Sequence, residues 1–264
     1  MELKKTILVL ADISGYTRFL QLHTMSLLHA EKIITELIEA VIDTTAEPMQ
    51  LNKLQGDAMF FYVQTDGGDE SAIARDVFAQ TKAFFSAFSK RSKELTGCNN
   101  LCPCDACRDA EQLRLKTIIH TGDVAFKRVR TFEELAGEAV ILTHRLIKNS
   151  LSASEYILMT DEFAQMCECL DGHTTESRVE DCEGIGMVPI KVYYPEGAAP
   201  PPPEPRNRGA SIANAMRLDA YSFARVLNLK KVPEGATDRL GENGGFFSFV
   251  SDGIRGLWML IRRK

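Results

Sequence analysis

The sequence predicts an α+β domain of the ferredoxin-like βαββαβ kind, followed by a C-terminal helical extension. Three observations predict it. Short apolar runs of strand length alternate with segments whose apolar residues recur at helical spacing. Their order is strand, helix, strand, strand, helix, strand, which suits antiparallel hairpins with helices on one face. A proline-rich break at residues 196–209 then separates this pattern from a differently composed tail.

The first strand is the β-branched-rich run at 5–11. A helix follows, with Ala30, Ile33, Ile34, Leu37, Ile38, Val41 and Ile42 at i, i+3, i+4, i+7 spacing. Strands at 48–54 and 58–63 are split by Gln55-Gly56-Asp57. A second helix over 68–95 carries Ile73, Val77, Phe84 and Phe88 on one face, with Phe78 and Phe85 beside them. Strands at 113–120 and 123–129, a helix at 137–149, and strands at 155–160, 175–181 and 187–194 complete the domain. The domain is expected to span 1–195, with a cysteine loop inserted at 97–109, a linker at 196–208 and a helical extension at 209–264.

The chain has 264 residues, 45% of them apolar and 25% charged, enough to bury a sizeable core. Its net charge is −5 and its body carries no Lys/Arg-rich block, which disfavours nucleic acid as a partner. The apolar run from Thr6 to Ala11 ends at Asp12 with no small-residue cleavage site after it, so it reads as a strand rather than a signal peptide. A cytoplasmic, reducing setting is expected, in which the seven cysteines serve as thiols or metal ligands rather than disulfides.

Asp12 closes the first strand, and Asp57 lies in the turn of a hairpin expected beside it. Two carboxylates at neighbouring strand ends can share hard divalent cations such as Mg²⁺. The backbone N–H groups of a Ser14-Gly15 loop opening a helix suit a polyphosphate. On spacing alone, a helix cap at Asp12 and a turn residue at Asp57 serve equally well.

Four stretches together resemble one family. ADISGYTRFL and KLQGDAMFFY look like the two metal-binding motifs of the class III adenylate/guanylate cyclases. LKTIIHTGDV is similar to their histidine-containing strand pair, and AGEAVILTHRLIKNS to their arginine-bearing helix. The motifs fall in family order and spacing over residues 5–195.

The resemblance implies a nucleotide cyclase fold in which the 3′-hydroxyl of a nucleoside triphosphate attacks the α-phosphorus and expels pyrophosphate. It places Asp12, Ile13 and Asp57 at the ligand positions for Mg²⁺ or Mn²⁺, and Ser14, Gly15, Tyr16 and Thr17 in the substrate loop. Lys53 matches the base-reading lysine, Glu134 stands for the family's usual aspartate with the same carboxylate group, and Arg145 matches the transition-state arginine. A Lys donor with a carboxylate acceptor complements adenine N1 and N6 better than guanine, so ATP is the favoured substrate. Each site is implied to form between two chains of a homodimer.

Two positions depart from the pattern. Ile141 stands where the family has an asparagine, one helical turn before Arg145, and Ile185 stands where it has a phosphate-binding lysine. A catalytically weak or inactive nucleotide-binding regulatory module on the same fold is therefore the alternative reading. His120 and His144 fall inside the motifs, and both read as packing residues without a catalytic role.

Cys98, Cys102, Cys104 and Cys107 crowd one short loop. Four thiols so placed can close a tetrahedral structural Zn²⁺ site; an iron–sulfur cluster, redox disulfides and free thiols are the other readings. Cys167, Cys169 and Cys182 are scattered. In the tail, Phe247, Val250, Ile254, Leu257, Trp258 and Ile261 form a stripe ending in Arg262-Arg263-Lys264. The stripe is too short and too charged to span a bilayer. An amphipathic helix over 246–264 suits peripheral membrane contact, docking on the chain itself, or a partner surface.

Overall fold

The structure is a computed structural model that describes residues 2–23, 27–96, 106, 109–167 and 175–195. The cysteine loop's Cys98, Cys102, Cys104 and Cys107, the linker and the extension lie outside the described residues. The chain divides into two compact units, one of residues 1–14, 38–88 and 114–199, the other of 15–37, 89–113 and 200–264.

The first unit holds the whole sheet. Its strands are β1 (Glu2–Ser14), β2 (Gln50–Gln55), β3 (Ala58–Gln64), β4 (Arg114–Val129), β5 (Phe132–Ala136), β6 (Tyr156–Thr160), β7 (Thr175–Cys182) and β8 (Gly186–Tyr193). They form one 8-stranded sheet in the order β2-β3-β1-β4-β6-β8-β7, with β5 paired to β4. The β2-β3-β1-β4 portion is the ferredoxin-like unit. All pairings are antiparallel except β4 with β6. The α-helices among the described residues are α1 (Tyr16–Leu22), α2 (Leu27–Ile42), α3 (Glu70–Thr96), α4 (Glu138–Arg145) and α5 (Asp161–Cys167).

A helix beyond the βαββαβ unit covers the other face of the sheet. Phe61 meets Phe84 of α3 with ring centroids 5.3 Å apart, whereas its neighbour Phe60 belongs to the opposite cluster, with Leu8, Leu10, Ile118, Leu158 and Ala139, Val140 and Leu142 of α4. Successive strand residues point to opposite faces, so α4 covers the face that α3 does not. β1 is buried on both faces, which is why its sequence is a near-continuous apolar run rather than an alternation. The helical spacing in α2 holds: Ala30, Ile33, Ile34, Leu37, Ile38 and Val41 are all buried.

The strands expected at 113–120 and 123–129 are a single 16-residue strand, β4. Gly122 is a packing glycine and not a turn: an added Cβ there would lie 2.8 Å from the Ala139 Cβ, so its bareness is what lets α4 approach. Likewise β1 does not stop at Asp12 but runs on to Ser14, because β4 continues to pair with it as far as Arg114.

The second unit carries its own polar contacts. Arg91 pairs with both Glu36 and Glu94, and the Tyr16 hydroxyl donates to Glu31 at 3.1 Å. His23 and Asp109, both buried, approach to 3.4 Å. Cys182 is free and buried, while Cys167 is disulfide-bonded, against the expectation of thiols or metal ligands throughout. Among the described residues no helix is long and apolar enough to cross a membrane.

Candidate functional site

Asp12 pairs in register with Ala58 of β3 on one side and Lys116 of β4 on the other. The β2–β3 turn therefore delivers Asp57 beside it. Gly56, at φ 65, takes the first central position of that two-residue turn, where a hairpin asks for glycine. The two carboxylates feel one another: burial and the Asp12 charge push Asp57 up to about 6, while backbone N–H groups of Asp57 and Ile13 and the Lys116 charge pull it back. A half-buried carboxylate held uncomfortably near a second one is short of positive charge. Oxygen donors in that state fit a hard divalent cation, so the residues present suit Mg²⁺ or Mn²⁺.

Part of that charge comes from Lys116, whose ammonium lies 3.0 Å from the Asp12 carboxylate. Sequence reading missed this residue. The signal was available, since a lysine in a strand rich in apolar residues (LRLKTII) needs a partner where it is mostly buried. Among the described residues no group of three or more His, Cys, Asp or Glu gathers at one point, so a cation here would rest on the pair and main-chain oxygens.

Lys53 takes its place from the turn. Gln55 pairs with Ala58, Leu54 with Met59 and Lys53 with Phe60, so the register counted back from the two-residue turn puts Lys53 on the face of Phe60. Beyond it Leu51 pairs with Phe61, so Asn52 is an extra residue in β2. The Lys53 ammonium lies 3.3 Å from Glu134 in the middle of β5. The two residues that the sequence assigned to base reading are thus in direct contact, across 81 positions of chain. His144 packs on Phe60 at 4.9 Å, and burial with the Lys53 charge holds it below its ordinary value.

Arg145 ends α4 and lies across the β7–β8 turn. Its guanidinium is 3.8 Å from the Glu183 carboxylate and 3.7 Å from where a Cβ on Gly184 would stand. Ile185 packs on the core cluster, while Ile141 is 52% exposed. His120 is buried with Nδ1 2.9 Å from the Thr160 hydroxyl, and burial holds it below its ordinary value, as fits a neutral structural histidine. Ser14 pairs with Arg114 in β1. Gly15, Tyr16 and Thr17 belong to the second unit, where Gly15 opens α1 at φ 91 and Tyr16 is engaged by Glu31.

Residues 34–156 match a family described as a protein of unknown function, DUF2652. A protein of Mycobacterium tuberculosis (strain ATCC 25618 / H37Rv), described as uncharacterized protein Rv2561/Rv2562, is 32% identical over 222 residues, which cover 80% of this chain and all of that protein. The chain belongs to the Rv2561/Rv2562 family. The fold of this family member is shared with solved cyclase domains. The adenylyl cyclase CyaB from P. aeruginosa is 16% identical, with a TM-score of 0.53 over 76% of this chain and 98% of that one. The guanylyl cyclase Cya2 is 15% identical, with a TM-score of 0.55 over 76% and 95%. An adenylate/guanylate cyclase/hydrolase from Silicibacter pomeroyi is 18% identical, with a TM-score of 0.51 over 75% and 100%. At these identities the likeness establishes the cyclase-like fold of the Rv2561/Rv2562 family member and nothing finer.

Proposed function

We propose that the protein is a class III-like nucleotide cyclase that converts a nucleoside triphosphate, with ATP favoured, to a 3′,5′-cyclic nucleotide and pyrophosphate. The observation that carries this reading is the coupled pair Asp12 and Asp57, one carboxylate pushed up by burial and by the other. That arrangement suits two oxygen donors for Mg²⁺ or Mn²⁺, with the Ile13 main chain beside them. A bound divalent cation would supply charge neutralisation on the triphosphate and on the attacking oxygen.

The chain's own residues have separate tasks. Lys53 donates to, and Glu134 accepts from, the Watson–Crick edge of adenine. Lys116 neutralises Asp12, and would be free to face the phosphates where a cation held that carboxylate. Arg145 stabilises charge that develops as the α-phosphorus to bridging-oxygen bond breaks and the 3′-oxygen bond forms. Exposed Leu54 beside Lys53, Phe132 two residues before Glu134, and Ile141 one turn before Arg145 support a second copy of the chain closing the site. Residues 1–195 would form the catalytic domain of that dimer.

The second reading is a regulatory module that binds nucleotide without turnover. The exposed Ile141 and the core-packed Ile185 favour it, because neither can hydrogen-bond a sugar or a phosphate. Incubation with ATP, GTP, CTP or UTP and Mn²⁺, followed by mass spectrometry for cyclic product, separates the two. Product that disappears in Asp57→Asn supports the cyclase; bound nucleotide without product supports the module.

A further inference from the structure

Each cation of the proposed site is paired with a carboxylate of the same chain: Lys53 with Glu134 at 3.3 Å, Lys116 with Asp12 at 3.0 Å, and Arg145 with Glu183 at 3.8 Å. The third pair differs from the others in kind. The Glu183 side chain is fully exposed, whereas the other two carboxylates are partly buried. It stands in the β7–β8 turn, where Gly184 at φ 75 leaves the guanidinium a bare backbone to lie against. The Arg145 guanidinium is itself 39% exposed, so an incoming anion can reach it.

We propose that Glu183 is an internal counter-anion that competes with a ligand's phosphate groups for Arg145, and so sets how tightly the site takes a polyphosphate. An exposed carboxylate beside an exposed guanidinium is a weak, screened pair that a multiply charged phosphate displaces without rearranging the turn. Ile185, two residues on, contributes no cation to offset it. The turn therefore presents negative charge where a phosphate would approach Arg145. This inference rests on the reading of Arg145 as a phosphate-facing residue.

The test is calorimetry on the full chain with Mg²⁺, using inorganic tripolyphosphate and α,β-methylene-ATP as probes. Glu183→Gln keeps the volume of an exposed turn residue. It is expected to tighten tripolyphosphate binding about two- to fivefold, and to do nothing in an Arg145→Ala background. An unchanged affinity, an equal gain in both backgrounds, or no tripolyphosphate binding to any variant overturns the proposal. Coupling between 183 and 145 with tripolyphosphate, but no binding of the nucleotide analogue, would support it while removing the nucleotide reading. Analogue binding that ignores Glu183→Gln would do the reverse.

Discussion

The Lys53 ammonium lies 3.3 Å from the Glu134 carboxylate, and the register set by the two-residue turn at Gly56-Asp57 is what turns Lys53 to meet it. In the proposed site, donor and acceptor held side by side would meet the edge of adenine, whose N1 accepts and whose N6 donates; guanine presents the reverse order. The exchange Lys53→Glu with Glu134→Lys keeps the ion pair and inverts the pattern. Each single variant is expected to weaken ATP binding about tenfold or more, and the double variant to prefer GTP, since a well-placed pair discriminates bases by about 1–3 kcal/mol. Competition binding with ATP and GTP reads this. A double variant that still prefers ATP would remove the pair from base reading.

Asp57 gives a pH-dependent prediction. Its carboxyl is pushed up to about 6 from an ordinary 3.8, first by burial and then by Asp12. A raised carboxyl pKa means the folded state holds the proton more tightly than the unfolded state, so stability falls as pH rises from about 4 to about 6. Above that window the penalty is complete. Asp57→Asn should therefore raise the melting temperature of the metal-free protein at pH 7.5, by about 1–2 kcal/mol of stability after allowance for solvent screening, and leave it unchanged at pH 3.5. Equal shifts at both values would show that the carboxylate is not strained.

Which features could be read from the residues follows from the physics behind each. The α2 stripe was legible because six of its seven apolar positions, Ala30 to Val41, are buried, and the β2–β3 turn because Gly56 must adopt positive φ. Asp12 and Asp57 were legible as a pair because hairpin adjacency brings them together. The Asn52 bulge was not, because a one-residue slip leaves no mark in composition and is set by tertiary pairing. Continuous β4 was hidden by Gly122, whose role depends on Ala139 far along the chain. Five-residue β5 carries Glu-Glu in its middle, so its pattern gives no apolar alternation to find.

Gly122 and Ala139 make a second testable pair. An added Cβ at 122 would stand 2.8 Å from the Ala139 Cβ and 3.3 Å from His120 Nε2, too close without movement of α4. Gly122→Ala is expected to cost about 1–3 kcal/mol. Ala139→Gly alone costs about 1 kcal/mol of helix propensity, yet in combination it should return part of the loss. Denaturant melts of the two single variants and the double variant measure the coupling. Strictly additive losses would mean that the strand and helix do not meet there as described.

Ile141 is the position at which the proposed cyclase would gain function. It is 52% exposed on α4, one turn before Arg145, so its side chain is not part of the core that α4 closes with Ala139, Val140 and Leu142. Ile141→Asn therefore changes stability little, because the two residues have similar helix propensity and little burial is lost. It adds an amide that can donate and accept beside the guanidinium. Removal of one preorganised polar contact commonly lowers turnover by about 10²–10³. Adding one without its supporting shell recovers less, so about a tenfold rise in the rate of cyclic nucleotide formation is expected. The measurement is single-turnover product formation with Mn²⁺ and saturating ATP, where a change in affinity cannot imitate a change in rate. A rate unchanged in Ile141→Asn but lost in Arg145→Ala would show that the site positions the sugar by other groups. No product in any variant, with nucleotide still bound, would favour the regulatory module.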